Sequence, residues 1–499
     1  MTVAGRETVG PGRGRRARQL VLLAAAALLG GPLLALPAPA RAADPGSLTP
    51  VGADQFNGRG LNAALAVADH CAYVGSRGTG PVEVVNVADP AHPATAGEIA
   101  AKPASTAREL RAVPDQRLLV VMTYALGSGG VNRFDFYRWG ADCTQLQPTG
   151  GYDFGGRRPH EFYLWHASGR TLLFTSMFDA GNPALQVLDA SNPAQPALAG
   201  SWNAPTGLLH SISLSADGAR AYLSLWKGGM LLADVSDFTA FRPNPAVRLV
   251  TQPPDAVPAP AGGNVHSAVQ APGRNLLVLT DERYPPPQCP YGPGRVVDIG
   301  DPAHPRQVST LLAPENDPAV CARAPTDVYT SHNPTLTANL AIVTWYASGV
   351  QVFDLTDPAN PARLVEYRPQ GVLPAGVDPQ LVGTTSMSWS YPIVKDGLIY
   401  VADINQGLLV LRYAGPHQEE VSGLAFSEGN SNLTQVKPAP TPIPSVTAHA
   451  VSPAATPSAR SSASRTGQPA GLPVWALAVG AAVLLAAALA GGAIVVRRR

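Results

Sequence analysis

The sequence predicts an all-β fold, namely a seven-bladed β-propeller with four strands in each blade. Three observations predict it. A short strand-like motif recurs seven times, two apolar stretches separated by a turn precede each copy, and a proline-containing turn with a further strand follows four of the copies. A period near fifty residues with four strands per unit is typical of a propeller blade.

The recurring motif is an apolar strand that usually ends in Asp, as in "VQVFD". Its copies lie 45 to 64 residues apart and end at Asn86, Asp135, Asp189, Asp234, Asp298, Asp354 and Arg412. In four copies a glycine stands five residues earlier, at Gly130, Gly229, Gly349 and Gly407. Because five of the seven units use the same Asp, we expect it to have a structural role in the blade.

The residues after the third strand are those preferred in a type I turn. Asp is favoured at its first position and Pro at its second, as in Asp89-Pro90, Asp301-Pro302 and Asp357-Pro358. Asn192-Pro193 keeps this pattern, whereas Asp237-Phe238 departs from it. A second proline then opens the fourth strand, where an edge position tolerates the missing donor, at Pro93, Pro196, Pro305 and Pro361.

Both ends of the repeated region contribute to the last blade. The seventh unit stops after "LLVLRY" without a proline turn or a fourth strand. Residues 48–55 resemble the fourth strands of the other units, so we expect them to supply the missing outer strand and close the ring. The propeller then spans residues 43–415, and residues 416–435 form its tail.

The repeat units also resemble a known family. The stretches "VEVVNVADPAHP", "LQVLDASNPAQP", "RVVDIGDPAHP" and "VQVFDLTDPANP" are similar to the LVIVD repeat family of exported bacterial β-propeller proteins. The resemblance covers about residues 60–415. It implies a propeller at the cell surface and no particular activity.

The N-terminus has the layout of a cleaved secretory signal peptide. A basic stretch is followed by an apolar run and by the small-residue site Ala40-Arg41-Ala42, so residues 1–42 are the expected signal. Cleavage near Ala42 sends the rest of the chain out of the cytoplasm. The pair Arg15-Arg16 leaves open whether export follows the general or the twin-arginine route.

The C-terminus predicts a membrane anchor. Residues 474–496 form an uncharged run long enough to cross a bilayer as a helix, and the basic tail of residues 497–499 stays on the cytoplasmic side. Residues 436–473 are rich in Pro, Ser, Thr and Ala and predict a disordered stalk. We therefore expect a single-pass protein in the cell membrane with the propeller outside.

Charge and cysteine content narrow the function classes. The net charge is +1, and Lys and Arg do not cluster outside the two termini, so no nucleic-acid partner is predicted. Four cysteines in an exported chain favour two disulfides. Cys289–Cys321 is the preferred bridge because both residues lie in proline-rich loops flanking one repeat, which leaves Cys71–Cys143. The other two pairings stay open.

A polar or aromatic residue opens the inner strand of every blade. Counting back from the first hairpin gives approximately Asn62, Arg108, His160, His210, His266, His332 and Trp389. Inner strands surround the propeller axis, so these side chains are expected to ring one mouth of the channel. The second strands end on the same face and are expected to add Trp226, Asp281, Glu282 and Trp345, together with Asp179 and Asp403.

This predicted rim has three interpretations. Each histidine can bind the backbone of a neighbouring blade in a structural role, contact a ligand without metal, or help to hold a divalent transition metal, since imidazole is the commonest metal ligand. The metal interpretation uses His160, His210, His266 and His332. Neighbouring residues of a regular strand face opposite sides, so His160 and Glu161 are not expected to face the channel together.

The leading functional hypothesis is a binding or scaffolding module at the cell surface for an extracellular protein or a small ligand. No catalytic residue and no cofactor are predicted by it. The alternative is an exported metal-dependent enzyme that uses the histidine rim. No nucleophile elbow, phosphate loop or dinucleotide fingerprint occurs in the sequence, so the sequence itself proposes no other chemistry.

Overall fold

The computed structural model describes residues 45–179, 183–261, 263–283, 289–323, 327–370 and 386–438. The predicted signal peptide, transmembrane helix and basic tail, and the stalk from residue 439 onward, lie outside these residues. Within the described ranges, no helix combines the length and the apolar character needed to span a bilayer.

The described residues form seven antiparallel sheets that follow one another along the chain, and the predicted seven-bladed propeller is confirmed. In the first six sheets, sequence order equals spatial order. The strands of blades one to three are Asn62–Ala68, Cys71–Ser76, Val82–Asn86 and Ala94–Ile99; Ser105–Val113, Leu118–Ala125, Arg133–Trp139 and Leu146–Asp153; and Pro159–Ala167, Arg170–Met177, Leu185–Asp189 and Ala197–Trp202.

Blades four to six repeat this arrangement. Their strands are Ser211–Leu214, Arg220–Ser224, Met230–Asp234 and Arg248–Leu249; Asn264–Gln270, Leu276–Glu282, Gly294–Asp298 and Arg306–Leu311; and Pro334–Leu336, Leu340–Thr344, Val350–Asp354 and Ala362–Tyr367. Short helical turns connect some of them, at Phe56–Gly58, Pro114–Gln116, Ser236–Thr239, Pro253–Asp255, Pro314–Asn316, Pro318–Cys321 and Gln418–Ser422.

The seventh sheet is larger because both ends of the described chain join it. Its inner, second and third strands are Ile393–Lys395, Leu398–Asp403 and Gly407–Ala414. The outer strand is Ser47–Asp54, which pairs antiparallel with Gly407–Ala414. On the inner side Leu424–Glu428 pairs with Ile393–Lys395, and Gln435–Val436 follows it.

The repeated turn has the geometry that its residues predict. The N–H of His304 donates to the Asp301 carbonyl at 3.1 Å, and the Asp301 carboxylate accepts the N–H of Ala303 at 3.0 Å. The strand Asp acts in a similar way, since Asp298 accepts the N–H of Gly300 at 2.8 Å. These contacts support a structural role for both repeated aspartates.

The unit that lacks proline in this turn folds differently. Asp237 and Phe238 lie in the short helix Ser236–Thr239. The Phe238 ring is buried and packs edge-on against Phe174 of blade three at 5.8 Å. A short helix thus replaces the proline turn in blade four, and the outer strand of this blade is only two residues long.

The hydrophobic core lies between the faces of neighbouring blades. Tyr73 of blade one packs with Leu110 of blade two, and Phe174 of blade three packs with Leu223 of blade four. Central strands are buried on both faces, which explains their nearly continuous apolar runs. This packing holds the inner strands around the axis and fixes the side chains at the channel ends.

Two disulfides are present, and they are the two predicted pairs. Cys71–Cys143 joins blade one to the loop before the outer strand of blade two, and Cys289–Cys321 joins a loop of blade five to the short helix that follows that blade. Among the described residues no cysteine is left as a free thiol.

Candidate functional site

One mouth of the central channel is lined by the residues at or near the starts of the inner strands. Four of them form what we call the histidine arc, namely His160, His210, His266 and His332. Successive ring centroids along the arc are 4.3, 4.2 and 4.1 Å apart. Trp389 follows His332 at 3.9 Å. Each of the four histidines is at most 5% exposed.

Glu161 also faces this mouth, and the expectation from regular strand alternation is wrong here. The register of Pro159–Ala167 against its partner strand shifts between Pro159 and Phe162, which is a β-bulge. Because of the bulge, His160 and Glu161 line the same cavity. The Glu161 Oε1 atom lies 3.8 Å from His210 Nδ1 and 3.6 Å from His266 Nε2.

Two predicted residues from the second strands lie at the arc. Glu282 places Oε2 at 4.0 Å from His266 Nε2 and Oε1 at 4.0 Å from His332 Nε2. The Tyr346 hydroxyl donates a hydrogen bond to Glu282. Trp226 stacks on His210 at a centroid distance of 4.6 Å and an angle of 14°.

Asp281 and Trp345 lie away from the mouth. The Asp281 carboxylate binds Arg295 within the sheet, at 2.6 and 2.7 Å. Trp345 is buried in the core against Phe353 and donates its indole N–H to the Tyr329 carbonyl at 2.9 Å. The next residue along the chain faces the mouth in each case, namely Glu282, which was also predicted, and Tyr346, which was not.

The two remaining predicted carboxylates have local roles. Asp179 accepts the backbone N–H of Arg158 at 2.7 Å. Asp403 is fully buried and accepts hydrogen bonds from Met387 and Asn405, at 2.8 and 3.0 Å. Asn62, the first member of the predicted ring, donates to the carbonyls of Asp403 and Ile404 and so joins blade one to blade seven.

Two arginines complete the mouth opposite the arc. The guanidinium carbon of Arg77 lies 4.1 Å from the centre of the Trp389 ring, and that of Arg108 lies 5.0 Å from it. These are cation–π contacts. Arg108 and Trp226 are half-buried, so the mouth reaches solvent past these two side chains.

Burial keeps the imidazoles neutral and weakens the acidity of the carboxyl groups. It lowers the pKa of His160, His266 and His332 well below 6.5, and that of His210 to about 3. Burial also raises the pKa of Glu161 well above its usual range, with Glu109 adding to the effect. It raises the pKa of Glu282 to about 7. Desolvation of the charged forms is the cause in every case.

The hydrogen bonds fix the tautomer of one histidine. His332 Nδ1 lies 2.7 Å from the carbonyl oxygen of Trp389, and a carbonyl only accepts, so Nδ1 carries the proton and Nε2 carries a lone pair. This bond also joins blades six and seven, as the structural interpretation requires. His332 Nε2 has no hydrogen-bond partner among the described residues, whereas His210 Nε2 lies 2.8 Å from His160 Nε2.

A small cavity of about 10 Å³ lies at the arc and is lined by His160, His210 and His266, with Glu161, Glu282, Arg77 and Arg108. This is roughly the volume that one water molecule needs. Neutral imidazoles and carboxylates converging on one such space form a donor set suited to a divalent transition metal. They also form a polar network that joins neighbouring blades.

The channel below the mouth is filled by side chains. Arg111 binds Glu109 at 3.0 Å, and the Tyr391 hydroxyl donates to Ser267 at 3.0 Å. All four residues are buried. The mouth with the histidine arc is therefore separated from the opposite end of the channel by a packed polar layer.

The opposite end is crossed by what we call the C-terminal segment, residues 424–436. After pairing with blade seven it reaches blade three, where the N–H of Leu164 donates to the Asn430 carbonyl at 3.1 Å. The Asn432 side chain accepts from the N–H of His166 at 2.7 Å and donates to the His166 carbonyl at 2.9 Å. The sequence predicted only a tail here.

An open cleft of about 610 Å³ lies between this segment and the first hairpins of blades four and five. Its lining includes the apolar residues Leu214, Val269 and Leu336 and the acidic residues Asp217 and Glu428. The Glu428 side chain is 5% exposed, its Oε1 atom has no hydrogen-bond partner among the described residues, and burial raises its pKa. The volume is typical of a small-molecule site.

Sequence reasoning missed Glu161, Tyr346 and Glu428. A β-bulge turns Glu161 inward, and single-residue bulges leave no clear mark in an apolar pattern. Tyr346 is displaced by one position from the predicted Trp345. Glu428 stands in a segment without a repeat, so counting along the blades could not place it.

A family model described as the LVIVD repeat matches residues 180–204. No curated protein matches the chain. A crystal structure of Raptor from Chaetomium thermophilum is similar, with a TM-score of 0.50 and 14% identity over 74% of this chain, which spans 29% of the Raptor chain. A protein from Lactobacillus plantarum has a TM-score of 0.45 and 11% identity, with 62% of this chain and 85% of the other covered.

The Raptor similarity concerns the fold alone, since the identity is low. The family match lies on the third and fourth strands of blade three, in one of the units that predicted the family. The match at residues 180–204 supports the resemblance of the repeat units to the LVIVD repeat family.

Proposed function

We propose that the protein is a binding module displayed on the outer side of a cell membrane, and that a small ligand binds in the cleft beside the C-terminal segment. The observation that carries the proposal is the cleft itself. It is open, it has the volume of a small-molecule site, and it combines an apolar floor with a few polar groups.

The charge of the cleft indicates the class of ligand. Asp217 and Glu428 are acidic, and no Lys, Arg or His occurs among its described lining residues. Ser427, Asn432 and Thr434 add hydrogen-bonding groups on the side of the C-terminal segment. A small ligand with amine or hydroxyl donors fits this surface better than an anion does.

Export and anchoring are supported by the predicted signal, stalk and membrane helix. The two disulfides add to this, because disulfides persist in oxidising compartments and are rare in the cytoplasm of mesophiles. With residues 497–499 inside, the stalk holds the propeller and its cleft away from the membrane on the outer side.

Binding is tested on the full chain in detergent micelles with a library of small amines and sugars, using ligand-observed NMR. Ala216 lines the cleft and is exposed, so Ala216→Trp fills the space without disturbing the core. We expect the hits to be lost in this variant and retained in Ala359→Trp, a substitution at an exposed turn of blade six. Hits that bind equally to Ala216→Trp would overturn the proposed site.

Membrane topology is tested in whole cells that express the full chain with a C-terminal tag. A protease added outside is expected to degrade the propeller while the tag and a cytoplasmic marker survive. A propeller that stays intact until the cells are lysed contradicts the proposed orientation.

A further inference from the structure

We propose that the histidine arc holds one divalent transition metal ion, bound by His210, His266 and Glu282 with Glu161 as a fourth donor. The proposal is independent of the ligand cleft, which lies at the other end of the channel.

The donor groups lie close enough to share one ion if they contract around it. His210, His266 and Glu282 each offer one ligand atom, and these atoms lie within 4.8 Å of one another. Glu161 Oε1 is within 3.8 Å of both imidazoles. Donors about 2.0–2.2 Å from a tetrahedral Zn²⁺ are roughly 3.3–3.6 Å apart. A small contraction of the group around an ion reaches that geometry.

An unpartnered polar atom provides a second observation. His332 Nε2 is deeply buried and has no hydrogen-bond partner among the described residues. It carries a lone pair and lies 4.0 Å from Glu282 Oε1. A lone pair that faces a buried carboxylate is costly unless a proton or a cation lies between them.

The surroundings hold the donors in place. The Tyr346 hydroxyl orients Glu282, and Ser267 lies 2.7 Å from His266 Nδ1, which leaves Nε2 for the cavity. Outer contacts of this kind position metal ligands. Arg77 and Arg108 line the same cavity, and their positive charge opposes a bound cation.

The test uses the full chain without a purification tag in detergent micelles. The protein is stripped with a chelator, incubated with Zn²⁺, desalted and measured by elemental analysis. We expect about one Zn²⁺ per chain for the parent protein, and less than a tenth of that for His266→Gln and for Glu282→Gln. His304→Gln is the matched control, because His304 lies exposed at a turn of blade five and should leave the zinc content unchanged.

A thermal melt with and without Zn²⁺ separates metal binding from a structural role. The parent and His304→Gln should melt at a higher temperature with Zn²⁺, whereas His266→Gln should not respond. A folded parent that retains no zinc after desalting overturns the proposal, as does full zinc content in His266→Gln. If His266→Gln fails to fold, the zinc contents of the parent and of Glu282→Gln test the proposal.

Discussion

Blade five contains two Asp–Arg pairs in different environments. Asp281 and Arg295 are buried, with side chains 0% and 5% exposed, whereas Asp298 and Arg306 are 39% and 69% exposed. Burial raises the pKa of Asp281 to about 6 even beside Arg295, so its carboxyl group is ionised at pH 7.5. Removing one partner of a buried pair leaves an uncompensated charge.

We therefore predict that Asp281→Asn lowers the free energy of unfolding by about 3 kcal/mol at pH 7.5. The control Asp298→Asn should lower the free energy of unfolding by less than about 1 kcal/mol, because exposed ion pairs contribute little to stability. Urea unfolding followed by fluorescence measures the free energy of unfolding of both variants. Equal effects of the two substitutions would show that burial does not determine the contribution of the pair.

The turn after the third strand of blade five predicts a pH effect. His304 Nδ1 lies 2.9 Å from the Asp301 carboxylate, and this contact raises the pKa of His304 above 6.5. The stabilisation by the contact is then fully present below pH 6.5 and is lost as the pH rises through the pKa of His304. An NMR titration should show the raised pKa in the parent and an ordinary one in Asp301→Asn. An unshifted His304 in the parent contradicts this assignment.

At the level of elements, the docking of the C-terminal segment depends on a close approach between Gly429 and the backbone at Pro334. A Cβ atom at Gly429 would lie 2.0 Å from the Pro334 carbonyl oxygen, which is backbone and cannot move away easily. Gly429 therefore lets the segment pass beside the inner strand of blade six. A side chain here has to displace one of the two elements.

We predict that Gly429→Ala destabilises the protein by about 1–3 kcal/mol, as expected for an overpacked site. Amide hydrogen exchange should become faster in residues 424–436. Gly97→Ala is the control, since no heavy atom lies within 4 Å of its added Cβ. Unchanged exchange in Gly429→Ala would mean that the segment does not dock as described.

The elements that could be predicted are those that the repeat contains. Strand order, the Asp-Pro turns and the inner-strand starts all follow from the spacing of similar motifs. The bulge at Glu161 and the path of the C-terminal segment could not be predicted, because each depends on contacts between blades that occur once. Counting along the repeat also placed Asp281 and Trp345 at the mouth, whereas both lie away from it.

For the whole molecule, the ring is held by contacts between distant parts of the chain. Ser47–Asp54 pairs with Gly407–Ala414, and Cys71–Cys143 links blade one to blade two. The fold class was predictable because one blade repeats seven times, whereas the proposed ligand cleft depends in part on the C-terminal segment, which has no repeat.

Replacing both Cys71 and Cys143 by Ser should destabilise the protein by about 4 kcal/mol, the loop-closure estimate for a bridge of this span, which joins residues 72 apart. The double substitution leaves no unpaired thiol at this site. The urea midpoint should fall while near-ultraviolet circular dichroism stays native. An unchanged midpoint would show that packing alone holds the first two blades together.

The most direct test of the account is a crystal structure of the Zn²⁺-treated protein with anomalous scattering data collected at the zinc edge. We predict a single strong peak at the channel mouth, within bonding distance of His210, His266 and Glu282. A well-ordered histidine arc with no anomalous peak, or a peak only at surface histidines such as His92 and His304, would contradict it.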